Sequence, residues 1–173
     1  NHILLRPIPP IYDALASEFA DKMVYLIFDI PIVALLALIL RPEMDFHLIN
    51  GLAFIPALFL AWALRFFWGY WLALLAFWAT RADALLALQD SLIFLLAGQV
   101  APVALLPGLM QTFAKILPFR YMVAFPVEVL TGQLPPAELV VGFAAQAGWL
   151  IIAFALYVIL WRAGLRRYTA VGG

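Results

Sequence analysis

The chain has 173 residues, 67% of them hydrophobic and 12% charged, whereas a soluble globular domain runs nearer about 45–50% apolar and about 25% charged. A small domain leaves too much surface wet to hide that much apolar side chain, and ten Lys+Arg balance ten Asp+Glu, so no global field recruits a polyanion. An ordinary soluble enzyme, a disordered chain and a nucleic-acid binder are excluded, and the lack of cysteine removes disulfides, thiolate chemistry and thiolate metal sites.

Residues 1–22 form the first predicted element. Pro9 and Pro10 suit only the first turn of a helix. Beyond them Ile11, Leu15 and Phe19 recur every fourth residue, with Asp13, Ser17 and Glu18 elsewhere on the wheel. That pattern predicts a short amphipathic helix outside the bilayer, leading into the first span. Two roles fit it: a helix lying on lipid, or a docking helix for a cytoplasmic partner. Asp13, Glu18 and Asp21 outnumber Lys22, which disfavours adhesion to an anionic leaflet.

Four apolar runs follow. Met23 to Leu40 is broken only by Asp29, and the run between His47 and Arg81 only by Arg65. Ser91 to Ala114 is uncharged but carries Gly98, Pro102, Pro107 and Gly108; Leu139 to Trp161 is uncharged throughout. About 20 apolar residues cross a hydrocarbon core of roughly 30 Å, and apolar character that does not alternate excludes a β-barrel. The expected fold is an all-α integral membrane protein with four transmembrane helices, at 23–41, 48–80, 84–107 and 137–162. The second run would be about 50 Å long at about 1.5 Å per residue, so it must tilt, bend or project. Its aromatics Phe66, Phe67, Trp68, Tyr70, Trp71, Phe77 and Trp78 place its far end at a headgroup layer.

Between the third and fourth runs, residues 108–136 are interrupted by prolines. A short helix is predicted over Leu109–Leu117, stopped by Pro118, and another over Phe119–Thr131 with Pro126 inside, before the turn Gly132-Gln133-Leu134-Pro135-Pro136. Two readings stand: a re-entrant helix pair dipping into the outer leaflet, or a partly buried exterior loop packed on its own helices. Four spans put both ends on one side. That side holds Arg6, Lys22, Arg81, Arg162, Arg166 and Arg167, against Arg41, Lys115 and Arg120 opposite. The basic excess marks both ends, including the tail 163–173, as cytoplasmic.

Chemistry-bearing residues are sparse. Asp29, Arg65 and Asp90 lie in or near the spans, where ionisable groups usually line a substrate or proton path; a structural ion pair or snorkelling to the headgroups also fits. His2 and His47 are isolated, and no metalloprotease, nucleophile-elbow or phosphate-loop motif occurs, which disfavours an enzyme. No metal ligand set and no cofactor are expected. Gly142, Ala144, Ala145, Ala147 and Gly148 suit close helix packing.

Several segments in order carry a likeness over nearly the whole chain: Leu4-Leu5-Arg6-Pro7-Ile8-Pro9-Pro10 before the first span, Arg81-Ala82-Asp83, Leu117-Pro118-Phe119-Arg120-Tyr121 through Phe125-Pro126-Val127-Glu128, and the ending Gly164-Leu165-Arg166-Arg167-Tyr168-Thr169-Ala170-Val171-Gly172-Gly173. Together they resemble ABC type-2 exporter permeases of bacteria, nearest the drug- or viologen-export branch. The resemblance implies a dimeric inner-membrane subunit that pairs with separate cytoplasmic ATPase subunits holding the ATP and Mg, and it implies export of an amphiphilic or drug-like substrate. Residues 8–19 would match the coupling helix, with Pro10, Ile11, Tyr12, Leu15 and Phe19 as ATPase contacts. Residues 108–133, with Pro118, Arg120, Pro126 and Glu128, would match the re-entrant region. Such permeases have six spans, so the expectation is that two earlier ones, together with an initiator Met, are missing here. Two other functions stay open from the residues: a non-transporting assembly or scaffold subunit, and a secondary transporter with Asp29 or Asp90 carrying protons.

Overall fold

The computed structural model describes residues 10–40, 47–78 and 82–167, helical in the main and without a strand among them. Residues 1–9, 41–46, 79–81 and 168–173, which hold Arg6, Arg41, Arg81 and the end of the tail, lie outside the described residues. The chain divides into two compact units, Asn1–Met44 and Asp45–Gly173.

The first unit is one helix, α1 (Pro10–Leu40). Pro10 is its first residue, where a missing N–H costs nothing. Lys22 and Glu18 pair at 3.5 Å one turn apart. The sequence predicts an amphipathic helix and then a span, but the two are continuous. No Gly or Pro stands between Pro10 and Pro31, so nothing stops propagation once the first turn forms. Pro31 sits inside the apolar half and leaves the Ile27 carbonyl without its helical donor. None of the helix's described residues is buried.

The second unit is built on α2 (Leu48–Leu74) and α7 (Pro136–Arg167). Along with α1, they are the described helices long and apolar enough to cross a membrane. The long second run is helical as expected, but its α-helix ends at Leu74 and tightens into a 3-10 turn at Leu75–Phe77. Ala57 lies beside Gln146, Phe67 beside Phe154 and Tyr70 beside Tyr157, so α2 and α7 run parallel. Several of the aromatics in this run form much of the contact. Phe67 meets Phe154 edge-on at 5.1 Å, and Trp68 meets Trp149 and Phe119 at 5.8 and 6.2 Å. Offset edge-to-face geometry suits the ring quadrupoles.

The predicted span at 84–107 is α-helical only as far as Leu96. Its helix, α3 (Ala82–Leu96), is about 22 Å long at about 1.5 Å per residue, short of the roughly 30 Å apolar core. Gly98 takes φ +83°, a left-handed conformation that terminates helices. Pro102 and Pro107 then prevent resumption, and only a 3-10 turn at Val103–Leu105 interrupts the irregular chain. Ala97 and Val103 anchor this stretch in the core, and a Cβ at Gly98 would lie 3.1 Å from Ala124, while Val100 and Leu105 stay exposed. α3 runs antiparallel to α2, with Asp90 near Arg65 and Gln89 beside Gly69.

Residues 108–136 make three short helices rather than two: α4 (Gly108–Ile116), α5 (Phe119–Met122) and α6 (Ala124–Leu130). Prolines start elements here. Pro107 and Pro118 precede α4 and α5, Pro126 is the third residue of α6, and Pro136 opens α7, all sites where the absent donor is harmless. The extra break falls at Val123, whose φ −136° and ψ −62° are not helical. α4 ends against Trp149, α5 begins against Trp68, and the turn after α6 returns to Ile49 and Asn50 at the start of α2. The segment thus goes down along α2 and α7 and comes back.

Small residues let the backbones approach. Ala57 and Ala61 of α2 and Ala153 of α7 are buried, and the ring of Phe125, wholly buried on α6, lies directly on Gly142 of α7. Of the predicted small-residue stripe, Gly142 is a packing site, whereas Gly148 has nothing within 4 Å of a built Cβ. A Cβ at position 142 would overlap the Phe125 ring. Gly142→Ala should therefore destabilise the protein by about 1–3 kcal/mol, read as a lowered thermal midpoint in detergent. Gly148→Ala should leave the midpoint unchanged within error.

Candidate functional site

The polar side chains of the second unit are few, and each has a distinct setting. Gln146 sits in the middle of α7 with no exposed surface. Its Nε2 donates to the Ala57 carbonyl on α2 at 3.0 Å and to the Tyr121 carbonyl on α5 at 2.9 Å. Tyr121 is the third residue of a helix of four, so its carbonyl has no helical donor and would otherwise be stranded. The carbonyls at the end of α4 are served in the same way: Tyr121 Oη donates to Lys115 O at 3.0 Å, and Trp149 Nε1 donates to Ile116 O at 3.1 Å. Gln146 escaped the sequence reading. The available signal was its position as a lone amide in an uncharged run, since polar groups in such spans join helices.

Two of the predicted re-entrant residues form an ion pair. Arg120 Nη2 donates to Glu128 Oε2 at 2.7 Å and Arg120 Nε to Glu128 Oε1 at 3.4 Å, with the side chains only 15% and 17% exposed. Residues eight apart on a straight helix stand about 12 Å apart along the axis. The break at Val123 is what lets them meet. They wall a polar cleft of about 200 Å³ that also takes in Gln111, Lys115, Gln133 and Glu138. Pro118 and Pro126, the other two predicted residues of this region, are helix starters and bring no polar group to it.

Arg65 and Asp90 also meet, at 4.0 Å across α2 and α3, but they are 44% and 65% exposed. Surface pairs of that kind contribute little stability. Asp29 belongs to α1 in the other unit. The predicted docking residues Pro10, Ile11, Tyr12, Leu15 and Phe19 all lie on the first turns of α1, with Tyr12 and Phe19 exposed.

A family model described as "ABC-2 family transporter protein" matches residues 1–172. The chain belongs to the ABC-2 transporter family. No curated protein and no solved structure gives a significant match. Membership together with the long apolar helices makes this a multi-pass membrane protein, a permease-type component of transport rather than a catalyst. Several of its polar groups sit at helix breaks and between helices, where they pair backbone or each other.

Gln146→Leu removes the donor and strands the Tyr121 carbonyl. A loss of about 1–3 kcal/mol is expected, measured as a drop in thermal midpoint in detergent. For the ion pair, a double-mutant cycle with Arg120→Met and Glu128→Leu should return a coupling energy of about 0.5–3 kcal/mol, with the double variant more stable than either single one.

Proposed function

We propose that this chain is the permease subunit of an ATP-binding-cassette exporter of the drug- or viologen-export type, moving an amphiphilic substrate outward. Separate cytoplasmic ATPase subunits supply ATP and Mg and dock on Pro10, Ile11, Tyr12, Leu15 and Phe19. Two copies, or this chain and a related one, work together in a bacterial inner membrane with both ends of this chain cytoplasmic.

The observation that carries the reading is the continuity of α1. The docking residues and the apolar span are one helix from Pro10 to Leu40, about 46 Å at about 1.5 Å per residue. Movement imposed on the first turns by a closing ATPase pair passes to the span without an intervening loop. Tilting of such a span shifts the balance between inward- and outward-open states, which is how differential binding of a partner acts. The exposed Arg65–Asp90 pair fits the wall of a translocation path between two permeases, where an ionisable pair meets water or protein rather than lipid. The four-crossing arrangement is supported by the parallel course of α2 and α7, which requires one return between them. α3 and the chain at 97–107 would together make that return. The basic Arg162 and Arg166, exposed at the far end of α7, then mark the cytoplasmic side, and the Arg120–Glu128 cleft, near the start of α7, opens outward.

Tyr12→Asp or Leu15→Asp should abolish capture of the ATPase subunit in a pull-down while membrane insertion is unchanged. Undiminished capture would remove the docking assignment. In vesicles, efflux should require ATP; efflux driven by a proton gradient would favour the secondary-transporter alternative, and no efflux the scaffold.

A further inference from the structure

Two clefts of the second unit meet at Glu128 and Leu134, which wall both. The first, of about 200 Å³, is the polar one beside the Arg120–Glu128 pair, with Gln111, Lys115, Gln133 and Glu138 around it. The second, of about 220 Å³, is largely apolar, walled by Ile49 and Ala53 of α2, Val129 of α6 and Leu139 of α7. Each is smaller than the about 300–1,000 Å³ that holds a whole drug-sized molecule. Side by side, they suit the two ends of one amphiphile.

The charges of the polar cleft select the polar end. Arg120 and Glu128 neutralise one another at 2.7 Å. Among the described residues no ion pair occupies Lys115 or Glu138, so one ammonium and one carboxylate remain to be matched. Gln111 Nε2 already donates to the Ala104 carbonyl at 3.2 Å, which leaves its amide oxygen as an acceptor. An anion alone would meet the charge of Glu138, and a cation alone that of Lys115. A group carrying both charges matches both: a phosphate on Lys115, and a primary ammonium, with three N–H donors, on Glu138 and the Gln111 oxygen.

The depth of the cleft follows from α4. Gln111 and Lys115 stand one turn apart on its polar side, while Leu109, Phe113 and Ile116 fall on the other side of the helical wheel and are 79%, 57% and 61% exposed. In a membrane protein such an apolar face meets lipid, and the polar face of the same helix then lies among the headgroups. We propose that the two clefts form one site for a zwitterionic phospholipid with an ethanolamine headgroup. The headgroup lies between Lys115 and Glu138, and the first part of an acyl chain runs along Ile49, Ala53, Val129 and Leu139. That the lipid comes from the outer leaflet rests on the exporter orientation. Its binding does not, and is measured on this chain without any ATPase.

The full chain in detergent is titrated with dioleoyl phosphatidylethanolamine, phosphatidylcholine and phosphatidylglycerol, and with soluble glycerophosphoethanolamine, and bound species are counted by native mass spectrometry. The ethanolamine lipid should bind about tenfold or more tightly than the other lipids. The glycerol headgroup has no cation for Glu138, and the methylated choline nitrogen has no N–H to donate. Lys115→Gln should weaken the ethanolamine lipid about tenfold, and Glu138→Gln should bring the ethanolamine and glycerol lipids within about twofold of each other. Both side chains are exposed, so the thermal midpoint should not move in either variant, and Lys115→Arg and Glu138→Asp should keep the preference. Equal affinity for the three lipids, a preference that survives both glutamine variants, or no lipid retained would each overturn the site. Tighter binding of the glycerol lipid would overturn the zwitterion and leave a phosphate contact alone. Glycerophosphoethanolamine bound as tightly as the whole lipid would overturn the lipid and make the occupant a soluble zwitterion. Lipid selectivity as expected without any ATP-dependent efflux in vesicles would support the site and count against the exporter reading alone.

Discussion

In a hydrocarbon environment a backbone carbonyl with no partner has no water to turn to, and the Gln146 amide meets that constraint where the second unit is most irregular. One NH₂ group reaches the Ala57 carbonyl and the Tyr121 carbonyl, tying a long helix, a one-turn helix and α7 together at a point with no exposed surface. Without it, a four-residue helix such as α5 could not be placed among apolar neighbours. Tyr121 Oη and Trp149 Nε1 extend the same arrangement to the end of α4. α5 stays buried because a side chain from α7 finishes its hydrogen bonding.

Shape follows from that arrangement. Once α5 is fixed to α2 and α7, α6 must come back up beside them, and the ring of Phe125 falls on Gly142 of α7, which has no room for a Cβ. The same turn of the chain brings Arg120 to Glu128 and sets Ala124 against Gly98. The ion pair is tolerated because protein covers most of it.

The charged groups divide by how they are enclosed. Arg120 and Glu128 are mostly covered and joined by two hydrogen bonds, an arrangement that holds α5 against α6. Arg65 and Asp90 touch loosely and stay open. None of the described residues of α1 is buried, and its course from Pro10 to Leu40 is unbroken.

The sequence by itself determined that the protein is helical and embedded in a membrane, because the excess of apolar residues and its lack of alternation leave no other way to satisfy the backbone. It also determined where helices begin, since a proline suits a first turn, and it held enough ordered motif to indicate the family. Helix ends were less legible. Leu96 and Val123 end helices inside apolar runs, and the decision rests on a left-handed glycine and on packing against Ala124 that no local pattern records. The continuity of α1 is the converse case, in which an expected boundary vanished because nothing in the chain enforces one. Gln146 and Gln89 looked like incidental polar residues in the sequence. Only the tertiary structure decided that one completes two backbone hydrogen bonds and the other is buried over Gly69 between α2 and α3, because an amide's role depends on what stands opposite it, and those partners are far away in the chain.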